Sequence, residues 1–158
     1  MIRVEQRQIY TRPDEPRDST LRIAFVSGNR EKLPDAVIPL GVLYVMGSTP
    51  DHHEKKLIDL CFETHPVEAL ETQLEAFGPD LVALGIRNIQ NNDYSGIGDN
   101  LDYYADLVSA VRRVSSAPIV LGGGGFSVMP SELMARLRPD YGISGEAEHA
   151  FSLLVEAL

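Results

Sequence analysis

Only one cysteine, Cys61, stands among the 158 residues. A disulfide within the chain is therefore excluded, and no set of thiolates is present to hold a metal cluster. A single thiol fits a reducing compartment, so a cytoplasmic setting is expected. Cationic side chains are also scarce. Fourteen Lys and Arg against 23 Asp and Glu leave a formal charge of −9, which argues against a grip on a phosphate backbone, and no nucleic-acid partner is expected. The acidity itself needs no partner, because solubility accounts for it. No apolar run approaches the roughly 20 residues that cross a bilayer, so no membrane partner is expected. Met1 to Arg22 mix charge and polarity without the apolar stretch of a signal peptide.

What remains is ordinary globular composition, 44% apolar, in a length that supports one core. Residues 1–20 read as a tail broken by Pro13, Asp14, Glu15 and Pro16, leaving residues 21–158 as the domain. From Leu21 onward strand and helix signals alternate. Leu21–Val26, Lys56–Phe62, Leu81–Ile86, Pro118–Leu121 and Tyr141–Ser144 are short apolar segments that read as strands. Between them, Leu40–Gly47 follows Pro39, which suits a first helical turn. Val67, Leu70, Leu74 and Phe77 mark a helix over residues 66–77, ended by Gly78-Pro79-Asp80. Tyr104, Leu107, Val108, Val111 and Val114 mark a third helix. Pro130–Leu137 reads as a short helix, and Ala147, Phe151, Leu154, Val155 and Leu158 form the stripe of the last.

Short apolar strands alternating with helices predict an α/β fold: a Rossmann-like or flavodoxin-like five-stranded parallel sheet with helices on both faces. Right-handed crossovers follow, and the common flavodoxin-like strand order 2-1-3-4-5 is expected. Ligands of such sheets sit beyond the carboxyl ends of the strands, which directs attention to loops 27–38, 87–100, 122–130 and 144–148.

The glycine run Gly122, Gly123, Gly124 and Gly125 removes every Cβ at the end of the fourth strand. A flat group could lie there against backbone; a loop needing positive φ angles would produce the same run. Phe126 and Ser127 follow, and Ser127 or Ser131 could cap the next helix or face a ligand. The loop holding Arg87, Asn88 and Asn91 is rich in amides, which donate and accept hydrogen bonds; Asn and Asp are also ordinary turn residues. Glu146 and Glu148, after Gly145, stand where carboxylates complement a helix dipole. His52 and His53 read as an exposed turn. The first loop, with Ser27, Asn29, Arg30 and Leu33, carries no phosphate-binding glycine fingerprint. No Ser-His-Asp elbow, zinc-protease helix or paired-carboxylate cleft is present.

Five stretches in order resemble the cobalamin (B12)-binding domain of class B, cobalamin-dependent radical SAM proteins. They are Pro39-Leu40-Gly41-Val42-Leu43-Tyr44; Lys56–Leu60; Pro79-Asp80-Leu81-Val82-Ala83-Leu84-Gly85; Ala117–Gly123 with Pro130-Ser131-Glu132; and Ser144-Gly145-Glu146-Ala147-Glu148, where Ala147 replaces a family glycine. The resemblance covers residues 21–158. It implies cobalamin across the strand ends, as methylcobalamin or hydroxocobalamin, with its nucleotide tail detached from cobalt and laid near Gly122–Gly125. It implies contacts from Ser27, Asn29, Arg30, Leu33, Pro39, Leu40, Arg87, Asn88, Asn91, Gly122 through Ser127, Gly145 and Glu146. It also implies a radical SAM domain as partner, in cis or in trans, carrying S-adenosylmethionine and a [4Fe–4S] cluster outside this chain. The implied chemistry is methyl transfer, with this domain not catalytic alone. Cobalamin domains that ligate cobalt through histidine carry D-x-H-x-x-G after the first strand. Here that loop has no histidine, so cobalt without a protein His ligand is expected, with Arg30, Lys32 or Leu33 on its lower side. A flavin- or nucleotide-binding module of the same topology, which should show several hydroxyls in the first loop, and a cofactor-free interaction domain are the competing readings.

Overall fold

The computed structural model describes residues 20–32, 34–89 and 100–158. The expected tail lies outside these residues, except for Thr20, and so does most of the loop before the third helix. Five strands, β1 (Arg22–Ser27), β2 (Glu54–Asp59), β3 (Leu81–Gly85), β4 (Ile119–Gly122) and β5 (Tyr141–Gly142), form one sheet. Its order is β2-β1-β3-β4-β5, with every neighbouring pair parallel. The helices are α1 (Leu40–Ser48), α2 (Pro66–Phe77), α3 (Asn100–Val114), α4 (Gly124–Val128), α5 (Pro130–Leu137) and α6 (Glu148–Ala157).

Because strand side chains alternate between faces, the central strands feed two cores. Ala24 and Val26 of β1, Val82 and Leu84 of β3, and Ile119 and Leu121 of β4 enter the larger one. There they meet Leu70 and Leu74 of α2, Tyr104, Leu107 and Val111 of α3, and Leu133 and Leu137 of α5. Ile23, Phe25, Leu81 and Val120 face the other side, against Phe151 and Val155 of α6. The Phe25 and Phe151 rings pack tilted at 5.5 Å, an arrangement aromatic pairs favour. Helix α1 covers the same side with Val42, Val45 and Met46 half-buried. None of its residues is fully buried.

Several boundaries differ from the sequence reading. β2 begins at Glu54 and stops at Asp59, earlier at both ends than the apolar stretch Lys56–Phe62. The partner decides: Glu54 pairs with Arg22, and its N–H donates to the Leu21 carbonyl at 2.9 Å. At the far end Asp59 Oδ1 accepts the Cys61 N–H and turns the chain out of the sheet. β5 is two residues long, whereas α3 starts at Asn100, where the preceding loop was expected to end.

The amino ends of the strands are closed by a device used twice. Pro79-Asp80 precedes β3 and Pro139-Asp140 precedes β5, each after a left-handed residue, Gly78 (φ 60°) and Arg138 (φ 50°). Asp80 Oδ2 accepts the first N–H of β1, at Arg22, over 2.8 Å. Asp140 Oδ2 accepts the first N–H of β4, at Ile119, over 2.7 Å, and also pairs with Arg112. Each carboxylate thus satisfies a strand-start donor that the ladder leaves open. His53 joins this end. It is buried rather than exposed as the sequence suggested, because its Nδ1 accepts the Leu21 N–H at 3.1 Å.

Candidate functional site

The strand order reverses direction between β1 and β3. The helix after β1, α1, packs on the smaller core, whereas α3, after β3, packs on the larger. A crevice therefore opens at the carboxyl ends of these two strands. Close approach of the helices narrows its walls. A Cβ on Gly28 would lie 2.7 Å from the Tyr104 ring, and one on Gly85 would lie 2.7 Å from a Val42 methyl. These glycines let α3 and α1 close on either side of the strand ends.

Ser27 and Asn29, expected at the site, are buried there. Asn29 turns its amide to its own loop: Oδ1 accepts the Glu31 N–H at 3.3 Å and Nδ2 donates to the Glu31 carbonyl at 3.4 Å. These bonds fix the shape of the loop. Arg30 is exposed, with its guanidinium 3.8 Å above the centre of the Tyr103 ring. Arg87 and Asn88 follow β3 at the same edge. Burial pushes the Tyr104 phenol up to about 12, against the opposing hydrogen bond from the Arg87 backbone. Leu33 and Asn91 lie outside the described residues.

The glycine run divides into unlike positions. Gly123 has φ 99°, and a Cβ there would fall 2.6 Å from the Ile86 carbonyl oxygen. Gly125 is equally tight against Ile86, and its N–H donates to the Ile86 carbonyl at 2.9 Å. Both glycines allow close contact within the protein. Gly122 and Gly124 meet nothing nearer than 3.6 Å. From Gly124 the chain is helical, where the sequence suggested a loop. As the first residue of α4, Gly124 supplies one of the N–H groups that a helix start leaves without an internal acceptor. Phe126 is drawn into the larger core beneath Gly142, which has no side chain to obstruct it.

Neither Ser127 nor Ser131 caps α5, whose flanking residue is Met129 with no side-chain cap. Ser127 Oγ instead donates to the Gly123 carbonyl at 3.0 Å and accepts the Gly145 N–H at 2.9 Å. It thereby ties the glycine run to the loop after β5. Gly145 has φ 86°, with nothing within 4 Å of where a Cβ would stand, and Glu146 beside it is exposed. On the opposite flank Pro39 precedes α1, while Leu40 and Tyr44 are more than half exposed. The end of the sheet is thus a backbone-lined floor between an apolar helix and an amide-bearing loop. Sequence reasoning missed Tyr103, because the apolar stripe that marked the third helix was counted from Tyr104.

His53 sits at the start of β2, at the opposite end of the sheet from this crevice. Burial, then His52 and Lys55, hold its imidazole below the ordinary histidine range. Among the described residues no group of three or more His, Cys, Asp or Glu is placed to hold a metal ion, and no helix is long and apolar enough to cross a membrane.

Comparison with known proteins supplies a family and a fold. The family model of the B12 binding domain matches residues 27–155. Tryptophan 2-C-methyltransferase of Streptomyces laurentii is 30% identical over 137 residues, which are 86% of this chain and 23% of that protein. Two structures of TsrM, a radical S-adenosylmethionine methyltransferase from Kitasatospora setae, share the fold at a TM-score of 0.78 and 24% identity. One holds tryptophan and a SAM analogue, and covers 87% of this chain and 26% of its own. The other holds cobalamin and a [4Fe-4S] cluster, and covers 88% and 24%. The chain spans about a quarter of the length of these relatives.

Proposed function

The chain belongs to the B12-binding domain family, and from that membership we propose that it carries cobalamin across the carboxyl ends of its sheet for a cobalamin-dependent radical SAM methyltransferase. The observation that supports this most is the floor at the ends of β4 and β5. At Gly122, Gly124 and Gly145 nothing lies nearer than 3.6 Å to where a Cβ would stand, so a flat macrocycle and its nucleotide tail can lie against backbone. The residues present therefore fit a corrinoid. Leu40 offers an exposed apolar edge, Asn88 an amide, and Ser127 holds the two glycine segments in one position.

When bound, the cobalt centre supplies a methyl group for transfer. S-adenosylmethionine and a [4Fe–4S] cluster, both outside this chain, belong to a radical SAM domain in cis or in trans. This chain binds and orients the cofactor, as methylcobalamin or hydroxocobalamin, and shields one face of the corrin. Its first loop has no histidine, and His53 is committed to Leu21 at the other end of the sheet, which supports a base-off cofactor without a protein His ligand. Arg30, Lys32 and Leu33 are the candidates for the lower side. Ser27, the one hydroxyl-bearing residue of the loop start, is buried, so nothing there favours a flavin phosphate. A cytoplasmic location suits the lone reduced thiol of Cys61.

Anaerobic incubation of the chain with hydroxocobalamin, then desalting and an absorbance spectrum, tests the reading. Retained, roughly stoichiometric cobalamin with a base-off band is expected. A colourless protein overturns it.

A further inference from the structure

One buried group in the crevice has no structural use. The loop after β1 and the first turns of α3 enclose a cavity of about 10 Å³, lined in part by Asn29, Arg30, Asn88, Tyr103 and Tyr104. Tyr103 is 91% buried (9% exposed), and its hydroxyl has no hydrogen-bond partner among the described residues. Native proteins leave few buried polar atoms unpaired, and each calls for an explanation. Phenylalanine would fill the same space without that cost. The neighbouring Tyr104 shows the contrast, since its hydroxyl is engaged by the Arg87 backbone.

Arg30, Tyr104 and the Cys61 thiol all lie near enough to the phenol to act on it electrostatically. Arg30 lies flat on the ring at 3.8 Å, a cation–π contact that fixes the ring plane. The enclosed space is close to the smallest that holds a water, about 10–15 Å³. It admits one oxygen and little more.

We propose that this cavity is an oxygen-sized subsite for the rim of the corrin, in which the Tyr103 hydroxyl donates to the carbonyl oxygen of a carboxamide side chain of the cofactor. The inference rests on the cobalamin reading above and deepens it. Burial raises the Tyr103 phenol well above its ordinary value, so it stays protonated and can donate. A carboxamide oxygen accepts such a bond, and it would reproduce the contact of any water it displaces, so the exchange loses no hydrogen bond. The nucleotide phosphate is another oxygen acceptor of cobalamin. The proposed course of the tail near Gly122–Gly125 places it under β4, away from this corner.

The test is Tyr103→Phe in the 158-residue chain, with three readouts: urea stability of the free protein, affinity for hydroxocobalamin, and affinity for dicyanocobinamide, which keeps the carboxamides and lacks the nucleotide. The expected result is unchanged or higher stability with affinity for both corrinoids reduced about tenfold, the size of one well-made buried hydrogen bond. Unchanged affinities in a variant of a binding-competent protein overturn the inference alone. A loss confined to hydroxocobalamin assigns the hydroxyl to the phosphate and overturns the carboxamide assignment. Lower stability of the free variant marks a structural role and overturns it too. Failure of the unmodified chain to bind either corrinoid removes the cobalamin reading itself, and the inference with it.

Discussion

The two ends of the sheet are closed in different ways. At the amino ends, side chains close the structure. Asp80 and Asp140 each accept a strand-start N–H, Arg112 braces the second, and His53 accepts a third from Leu21. At the carboxyl ends, backbone and glycine close it: Gly123 and Gly125 lie against Ile86, and Ser127 bridges to Gly145. The amino end has its strand-start donors matched by side chains, although the buried His53 Nε2 is left without a hydrogen-bond partner among the described residues. The carboxyl end keeps open glycines, exposed Leu40 and a Tyr103 hydroxyl that no described residue partners. One end is closed by side chains, and the other has room left for a ligand.

Substitutions at each end can break or sharpen that contrast. The largest effect is expected from Gly123→Ala, which combines a positive φ with a Cβ pressed on the Ile86 carbonyl. A loss of about 3 kcal/mol is expected in urea unfolding. Gly145→Ala, strained in φ alone, should lose only about 1 kcal/mol. Equal losses would show that the two glycines are alike after all. Next comes Asp140→Asn, which weakens the hydrogen bond to Ile119 and the exposed pair with Arg112. About 1 kcal/mol of stability should disappear at neutral pH, with hydroxocobalamin uptake unchanged. Partial burial pushes the Asp140 carboxyl up, but the Ile119 N–H and Arg112 outweigh it and hold it below its ordinary value of 3.8. A depressed folded value means the stabilisation is complete above that pH and fades as pH falls through the folded value. The Asn variant should lack this part of the acid transition.

A smaller change is expected for Ser127→Ala. It frees the Gly145 N–H, so affinity for hydroxocobalamin should fall about threefold to tenfold, with stability altered by no more than about 1 kcal/mol. The smallest effect on the cofactor belongs to His53→Ala, whose cobalt absorbance spectrum and affinity should match those of the unmodified chain. Its signature is in stability instead. The imidazole value lies below the ordinary 6.5, so protonation favours unfolding, and the stabilisation held above pH 6.5 fades as pH falls toward the lowered value. A changed spectrum would move His53 to the functional end.

The amino end was the more legible in the sequence. Pro79-Asp80 marked a strand start, apolar runs located all five strands, and their order is the common flavodoxin-like one that the topology led us to expect. β2 slipped because it is an edge strand. Its first residues, Glu54, Lys55 and Lys56, are charged, and only pairing with β1 marks them as strand. The carboxyl end was legible as loops and not as atoms. Nothing in four consecutive glycines announces that two of them press on Ile86 while Gly124 starts a helix, since glycine is a poor helix former whose placement here comes from tertiary contact. Tyr103 escaped because the apolar stripe of the third helix was counted from Tyr104, and nothing in the sequence marks the residue before it as buried.

Helix α1 borders the crevice, yet holds to the sheet only through half-buried Val42, Val45 and Met46, and to α6 through serines. Ser48 Oγ and Ser152 Oγ donate across the pair to Glu148 and Ser48 carbonyls at 3.2 and 3.0 Å. Such a helix opens at low cost while β1 and β3 stay closed. In amide hydrogen exchange, Leu43 to Gly47 should therefore lose protons long before Phe25 or Val82 does. A cofactor seated against Leu40 would slow that exchange without touching most of the amides it protects, making α1 the reporter of occupancy for the whole domain.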